Sequence, residues 1–298
     1  MAKMLKFTKM HSLGNDFMLV DGLSQEAAFN VSEIKSWSNR NTGIGFDQLL
    51  VVEPPESPDS DFFFRIYNAD GSEAEQCGNG TRCAARFAIE KGLTKKEVIE
   101  WQSLGGNFVT SYHSNDEIQT QISLSGSGCK TIEIENTGLE EIREVHSINI
   151  GNPHAVTFVS NIHNLDVDSI GSAISKSQEF PEGVNVGFCQ VVDRGFLRLR
   201  VFERGVGETM ACGTGACAAS IVSASKELTN NKVKVSMPGG KLKLVNQPEK
   251  ESILYRGLEI WIDAVRRNSG IALPLESGES FSEVRIREAH QILSTEQN

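Results

Sequence analysis

The 298-residue sequence predicts an α+β (α/β) fold of two similar domains produced by internal duplication, with a shared cleft between them. Three observations carry this prediction. Two cysteine boxes have nearly the same grammar: Cys77-Gly78-Asn79-Gly80-Thr81-Arg82-Cys83-Ala84-Ala85 in the first half and Cys212-Gly213-Thr214-Gly215-Ala216-Cys217-Ala218-Ala219 in the second. The match extends upstream, with Glu73 and Glu208 four residues before their boxes and Arg65 and Arg200 twelve before, inside Arg-Ile-Tyr and Arg-Val-Phe. Polar anchors also recur in the same order at near-constant spacing. Gly14-Asn15 introduces the apolar run Phe17-Met18-Leu19-Val20, and Gly151-Asn152 introduces Ala155-Val156-Thr157-Phe158-Val159. Gly45-Phe46-Asp47-Gln48-Leu49-Leu50-Val51-Val52 is then answered by Gly187-Phe188-Cys189-Gln190-Val191-Val192. Two domains that merely shared a core pattern would not need Asn, Gln and Glu at the anchors.

The elements follow in chain order. Glu53-Pro54-Pro55-Glu56-Ser57-Pro58-Asp59 is a polar, Pro-rich loop. The first box opens a helix whose apolar stripe, Ala84, Phe87 and Ala88, stops at Lys91-Gly92. Gln119 to Leu124 alternates as a strand, and Ser125-Gly126-Ser127-Gly128 then breaks the pattern, so a domain junction is expected near Ser123 to Lys130. From Phe196 to Phe202, Leu197, Leu199 and Val201 share one face and Arg198 and Arg200 the other, a half-buried strand. The second box opens a helix with Ala218, Ile221, Val222 and Ser225 at helical spacing. Val233 to Met237, Pro238-Gly239-Gly240 and Lys241 to Leu244 read as a hairpin, and Leu258 to Ile262 alternates again. The expectation is a strand-rich chain with one good helix per half. Residues 1–123 form the domain of Cys77, joined by a returning segment near 258–270; residues 124–257 form the domain of Cys212. Residues 264–298 are a polar tail, disordered or with a helical finish at Glu283 to Leu293.

Bulk properties narrow the function. Lys and Arg total 29 against 39 Asp and Glu, a net charge of −10, and no basic run is present, so neither nucleic acid nor an anionic membrane is expected as a partner. No apolar stretch has the length of a membrane span, and Met1 to Phe7 leads into His11-Ser12-Leu13-Gly14 with no secretory core, which points to the cytoplasm. In that compartment the six cysteines are expected as free thiols.

Cys77 and Cys212 fall at the first turns of their helices. The following glycines let the backbone approach a ligand, and the free N–H groups with the positive helix end favour an anion. Such a site is expected to pull a thiol from about 8.5 toward neutrality and to hold a substrate carboxylate. Two thiols of that kind suit a general base and a general acid working on opposite faces of one carbon, which inverts an amino-acid α-centre. The same amides can stabilise the enediolate formed on the way. No cofactor motif is visible, and no Lys stands in a pyridoxal-phosphate setting.

Tyr67-Asn68-Ala69-Asp70-Gly71-Ser72-Glu73-Ala74-Glu75-Gln76-Cys77-Gly78-Asn79-Gly80 and Gly205-Val206-Gly207-Glu208-Thr209-Met210-Ala211-Cys212-Gly213-Thr214-Gly215 resemble the two signatures of the diaminopimelate epimerases. Gly14-Asn15-Asp16-Phe17, Gly151-Asn152-Pro153-His154 and Glu182-Gly183-Val184-Asn185 are similar to further blocks of that family, and the resemblance spans residues 4 to 262. It implies a cofactor-independent epimerase interconverting LL- and meso-diaminopimelate in lysine and cell-wall synthesis. It also implies two α/β domains, each a strand barrel around a central helix, assembled as a homodimer. By the resemblance, Cys77 and Cys212 are the acid–base pair, with His154 near them. Gly78-Asn79 and Gly213-Thr214 supply donors to the reacting carboxylate. Asn15, Gln48, Asn68, Asn152, Asn185 and Arg204 line the pocket, and Glu203 holds an ammonium. A guanidinium at Arg204 suits a distal carboxylate. After Trp261-Ile262 the chain departs from the family's ending, so the closing strand and its dimer aromatic are not carried over.

Other readings use the same residues. Cys83 and Cys217 fit as small buried hydrophobes, and Cys129 and Cys189 as packing or surface residues. Asn15 and Asn152 fit turns, and Arg65 and Arg200 a solvent face. A zinc module would need tighter knuckles than the boxes have. A nucleotide loop would need a Gly-Lys-Ser/Thr ending. A racemase of proline, hydroxyproline or histidine would share the thiol chemistry and differ only in its pocket.

Overall fold

The computed structural model describes residues 5–112, 117–123, 128–135, 142–250, 252–258, 260–261 and 270–272. The first half runs β1 (Leu5–Ser12), β2 (Asn15–Asp21), α1 (Val31–Ser38), β3 (Gln48–Glu53), β4 (Phe62–Asn68), α2 (Gly78–Glu90), β5 (Val98–Gln102), β6 (Phe108–Tyr112) and β7 (Glu117–Ser123). The second runs β8 (Lys130–Glu133), β9 (Glu144–Asn149), β10 (Pro153–Phe158), α3 (Val167–Ser175), β11 (Asn185–Asp193), β12 (Phe196–Glu203), β13 (Gly207–Thr209), α4 (Gly213–Ser225), β14 (Lys232–Met237), β15 (Gly240–Gln247) and β16 (Ser252–Leu258). Short strands β17 (Ile260–Trp261) and β18 (Gly270–Ala272) follow.

Corresponding steps of the two halves pair alike. β2 lies parallel to β3 as β10 does to β11, and β4 parallel to β5 as β12 does to β14. Strand β16 pairs antiparallel with β15 on one side and β7 on the other, and β17 continues onto β1 with Met10 opposite Trp261. The first half thereby closes into a ring of strands around α2. In the second, α4 packs against β9 to β12 and β14 to β16.

Both central helices are wrapped on nearly all sides, α4 because its residues are small and α2 with Arg82 and Phe87 buried among small neighbours. Gly213 to Ser220, Val222 and Ser223 of α4 are buried, and α2 buries Gly78 to Ala85, Phe87 and Ala88. A helix buried all round has no polar stripe to show in a sequence. Around α2 pack Phe17, Leu50, Phe64, Trp101 and Phe108.

Two further helices were not expected from the sequence. α1 and α3 lie on the side of the strands away from α2 and α4 and cover the outer faces of the central strands. Met18, Val20, Leu49 and Val51 pack with Ile34 and Trp37 of α1, while Phe17, Leu19, Leu50 and Val52 face inward. The equivalent outer cluster joins Val186 and Phe188 to Ile170 and Ile174 of α3. Apolar runs without alternation are what strands buried on both faces require. The predicted hairpin is β14–β15, with Val235 opposite Leu242, and β12 buries Leu197, Leu199 and Val201 as its alternation implied. Residues 124–127 of the expected junction, and the tail apart from 270–272, lie outside the described residues.

Candidate active site

Cys77 and Cys212 are the N-cap residues of α2 and α4, one position before the first turn where the sequence placed them. Each sulfur accepts from a backbone N–H three residues on, Gly80 at 3.2 Å and Gly215 at 3.3 Å. The two helix starts abut. A Cβ placed on Gly213 would come within 3.2 Å of Gly78 Cα. This glycine therefore serves the approach of one helix to the other, and the cysteine caps end up side by side. All six cysteines are free thiols.

Side-chain amides link the caps. Asn79 Nδ2 donates to the Ala211 carbonyl at 3.0 Å, tying the first box to the residue before Cys212. Asn15 Oδ1 faces the Cys77 sulfur at 3.9 Å and Asn79 Nδ2 at 3.5 Å. On the other side Thr214 Oγ1 lies 3.5 Å from the Cys212 sulfur and accepts from Asn152 Nδ2 at 3.5 Å. Asn152 Oδ1 meets His154 Nε2 at 3.0 Å. An amide oxygen only accepts, so Nε2 carries the proton, and the buried Nδ1 has no partner among the described residues. Burial pulls His154 down to about 3, so its imidazole is neutral.

Gln48 Nε2 donates to Asn68 Oδ1 at 3.0 Å, and Gln48 sits opposite Phe17 in the β2–β3 pairing, two residues from Asn15. Asn185 is held by Pro153 and Arg204: its Nδ2 donates to Pro153 O at 3.1 Å and its Oδ1 accepts the Arg204 backbone N–H at 2.9 Å. The Arg204 guanidinium is exposed and donates to the Glu182 carbonyl at 3.1 Å. It does not join the cluster around the thiols.

The expected fall in thiol pKa is overturned. Burial pushes Cys77 up to about 12, against the pull of the Gly80 N–H, and the Glu203 carboxylate pushes the same way. Cys212 is raised well above its usual value by burial and then by Glu203, with Cys77 adding to the rise. A helix N-terminus lowers a thiol only when its donors outweigh the water lost, and here they do not. Glu203 is itself raised by burial, although Thr209 Oγ1 donates to its Oε1 at 2.6 Å and the Cys212 thiol also bonds to it. Both sulfurs are thus neutral around pH 7 and lie beside one carboxylate.

Some residues of this cluster were not picked out from the sequence. Asp47 Oδ2 accepts from Asn15 Nδ2 at 2.8 Å and from the Asp16 N–H at 3.0 Å, while Arg40 bridges Asp47 and Asp16. Lys9 also pairs with Asp16. Asp47 therefore turns the Asn15 oxygen toward Cys77. It stood one position before the Gln48 anchor, a signal within reach. Arg65 and Arg200 do not face solvent alone. Arg65 bonds Glu73 at 2.6 Å and Glu53 at 2.8 Å, and Arg200 grips Glu208 through both oxygens at 2.6 and 2.7 Å. The repeated Arg and Glu are the two ends of one repeated ion pair. Among the described residues no three His, Cys, Asp or Glu side chains converge in a metal-binding group.

The comparisons agree with this architecture. In solved structures the fold recurs in a phenazine biosynthesis protein of the PhzF family from Bacillus anthracis, with TM-score 0.68, 14% identity and coverage of 91% of this chain and 100% of the other. A hydroxyproline epimerase from Agrobacterium vitis shares it at TM-score 0.65 and 13% identity, over 92% and 94% of the two chains. At such identities the likeness concerns the fold alone. Sequence relatives lie much nearer. A diaminopimelate epimerase of Azotobacter vinelandii is 44% identical over 265 residues, 85% of this chain and 95% of its own. One from Acinetobacter baylyi is 45% identical over 257 residues, 82% and 90% of the two chains. The family model described as diaminopimelate epimerase matches residues 7–126 and 146–259, one stretch for each half. The chain is an isomerase of the epimerase class and belongs to the diaminopimelate epimerase family.

Proposed function

We propose that the protein interconverts LL-2,6-diaminopimelate and meso-diaminopimelate without a cofactor, by a two-thiol exchange of the α-proton, in the cytoplasmic synthesis of lysine and peptidoglycan precursors. The observation that carries this is the pair of cysteine N-caps on abutting helices, bridged by Asn79. One sulfur, as thiolate, takes the α-proton; the other thiol delivers a proton to the opposite face, and the roles exchange in reverse. The α-carboxylate lies across the backbone donors of Gly78-Asn79 and Gly213-Thr214, where enediolate charge develops. With both sulfurs protonated at rest, a thiolate forms only when one proton leaves, and Glu203 is the carboxylate next to both. A substrate ammonium nearby offsets the cost of that charge.

The remaining polar residues support a zwitterionic substrate. Gln48 Oε1 is a buried acceptor without a partner among the described residues and suits an ammonium. Asn15, Asn68, Asn152 and Asn185 supply further neutral amides, and neutral His154 orients Asn152. Arg204 must turn from the Glu182 carbonyl to reach a distal carboxylate. The site lies between a domain of residues 1–123 and one of residues 124–257, in a chain that pairs as a homodimer. Incubating LL-diaminopimelate with the protein in deuterated water tests the reading. The expected result is conversion to the meso form with deuterium at the inverted carbon. No inversion, or inversion without label, would overturn it.

A further inference from the structure

Five residues after each capping cysteine the duplication breaks its symmetry, with Arg82 in the first box and Cys217 in the second. Both are fully buried, and the Arg82 charge is felt at Cys217. A buried cation whose guanidinium reaches back to the start of its helix opposes the positive end of the helix dipole, an arrangement that costs stability. Its contacts show what it secures. Nη1 donates to the Gly78 carbonyl at 3.1 Å, and Nη2 to Asn79 Oδ1 at 3.1 Å and to the Ser12 hydroxyl. With its oxygen held there, the Asn79 carboxamide turns its NH2 to Ala211 O and Asn15 Oδ1.

We propose that Arg82 is a positioning residue of the two-thiol site: its guanidinium fork locks Asn79 in the orientation that sets the Cys77 cap and the Cys212 cap in register. Arg82 touches neither sulfur in a hydrogen bond, and it acts through Asn79 and the Gly78 carbonyl. Its fixed charge also favours a thiolate on Cys77, against the stronger push of Glu203, whereas Cys212 feels Glu203 and is given no such help. The inference rests on the two-thiol reading and deepens it by making the two sulfurs unequal.

The test compares Arg82→Lys, Arg82→Met and Ser12→Ala with the parent. Read-outs are kcat and KM for LL-diaminopimelate across pH, and the peptide-mapped rates at which iodoacetamide alkylates Cys77 and Cys212. Arg82→Lys keeps the charge and loses the fork: kcat should fall about 100-fold with little change in KM, while the pH dependence of Cys77 alkylation stays in place. Arg82→Met loses both, so Cys77 alkylation should move to higher pH and Cys212 alkylation should not. If Arg82→Met does not fold, Ser12→Ala with Arg82→Lys carries the test, with a several-fold loss of kcat expected from Ser12→Ala. Parent-like kcat in both, or losses confined to KM, would overturn the assignment. Turnover surviving in Cys77→Ala or Cys212→Ala would instead sink the two-thiol reading itself.

Discussion

Cys77 and Cys212 were legible in the sequence because repeated polar residues have few structural excuses, yet their titration was not. The first-turn logic considers only local donors, while burial by the opposing half decides the balance. Replacing either cysteine with Ala should remove epimerisation altogether, measured as loss of optical rotation change and of α-deuterium uptake. A second outcome follows from the raised pKa. Cys77, pushed up to about 12, is neutral at pH 7, so its alkylation rate should climb about tenfold per pH unit through pH 9; a plateau near pH 8.5 would contradict the burial. His154 gives a stability signature of the opposite kind. Its folded value, near 3, lies below the unfolded value of about 6.5, so between these the unfolded chain binds one more proton. Its contribution is fully present above pH 6.5 and is lost by about 1.4 kcal/mol per pH unit as pH falls toward 3. Urea unfolding at pH 7 and pH 5 should show a shallower loss in His154→Gln. Arg204 marks the limit of residue-level inference: its chemistry suits a distal carboxylate, but its side-chain direction depends on a partner no sequence displays.

Among the elements, the half-buried strands and the hairpin were readable because alternation records which face meets water. α1 and α3 were missed, although the clue was present: Phe17–Val20 and Leu49–Val52 are apolar without alternation, and both faces needed cover. The α1 capping box, Asn30 with Glu33, was a second clue. The central helices end alike. Lys91 and Lys226 are their C-caps, and the next residues, Gly92 at φ 70° and Glu227 at φ 60°, are both left-handed. Only the first has the residue that tolerates this conformation freely. Glu227→Gly should therefore raise stability by about 0.5–1 kcal/mol, read from the urea midpoint. At the other end of α4 the sign reverses. Gly213→Ala forces a methyl against Gly78, and should cost about 1–3 kcal/mol together with most of kcat, since it drives the two caps apart.

At the scale of the whole molecule, duplication was legible from anchors that recur in order, and a return of the chain to the first half near 258–270 was expected, while the sharing of β16 between β7 and β15 was not, because strand pairing across distant segments leaves no periodic trace. Trp37 and Trp101 lie in the first half and Trp261 pairs with β1 of that half, whereas the helices are divided between the halves, α1 and α2 in the first and α3 and α4 in the second, so tryptophan fluorescence reports the first half and helical circular dichroism reports both. One coincident urea transition is the expected result; two separate midpoints would show the halves to be independent. The reason lies in β16, which borders β7 on one edge and β15 on the other. A gene fragment ending at Ser123 would encode every residue of the Cys77 helix and still leave the edge of β7 bare, a ready template for aggregation. What began as two copies has become an inseparable pair: neither ancestor can be recovered by cutting the modern chain in the middle.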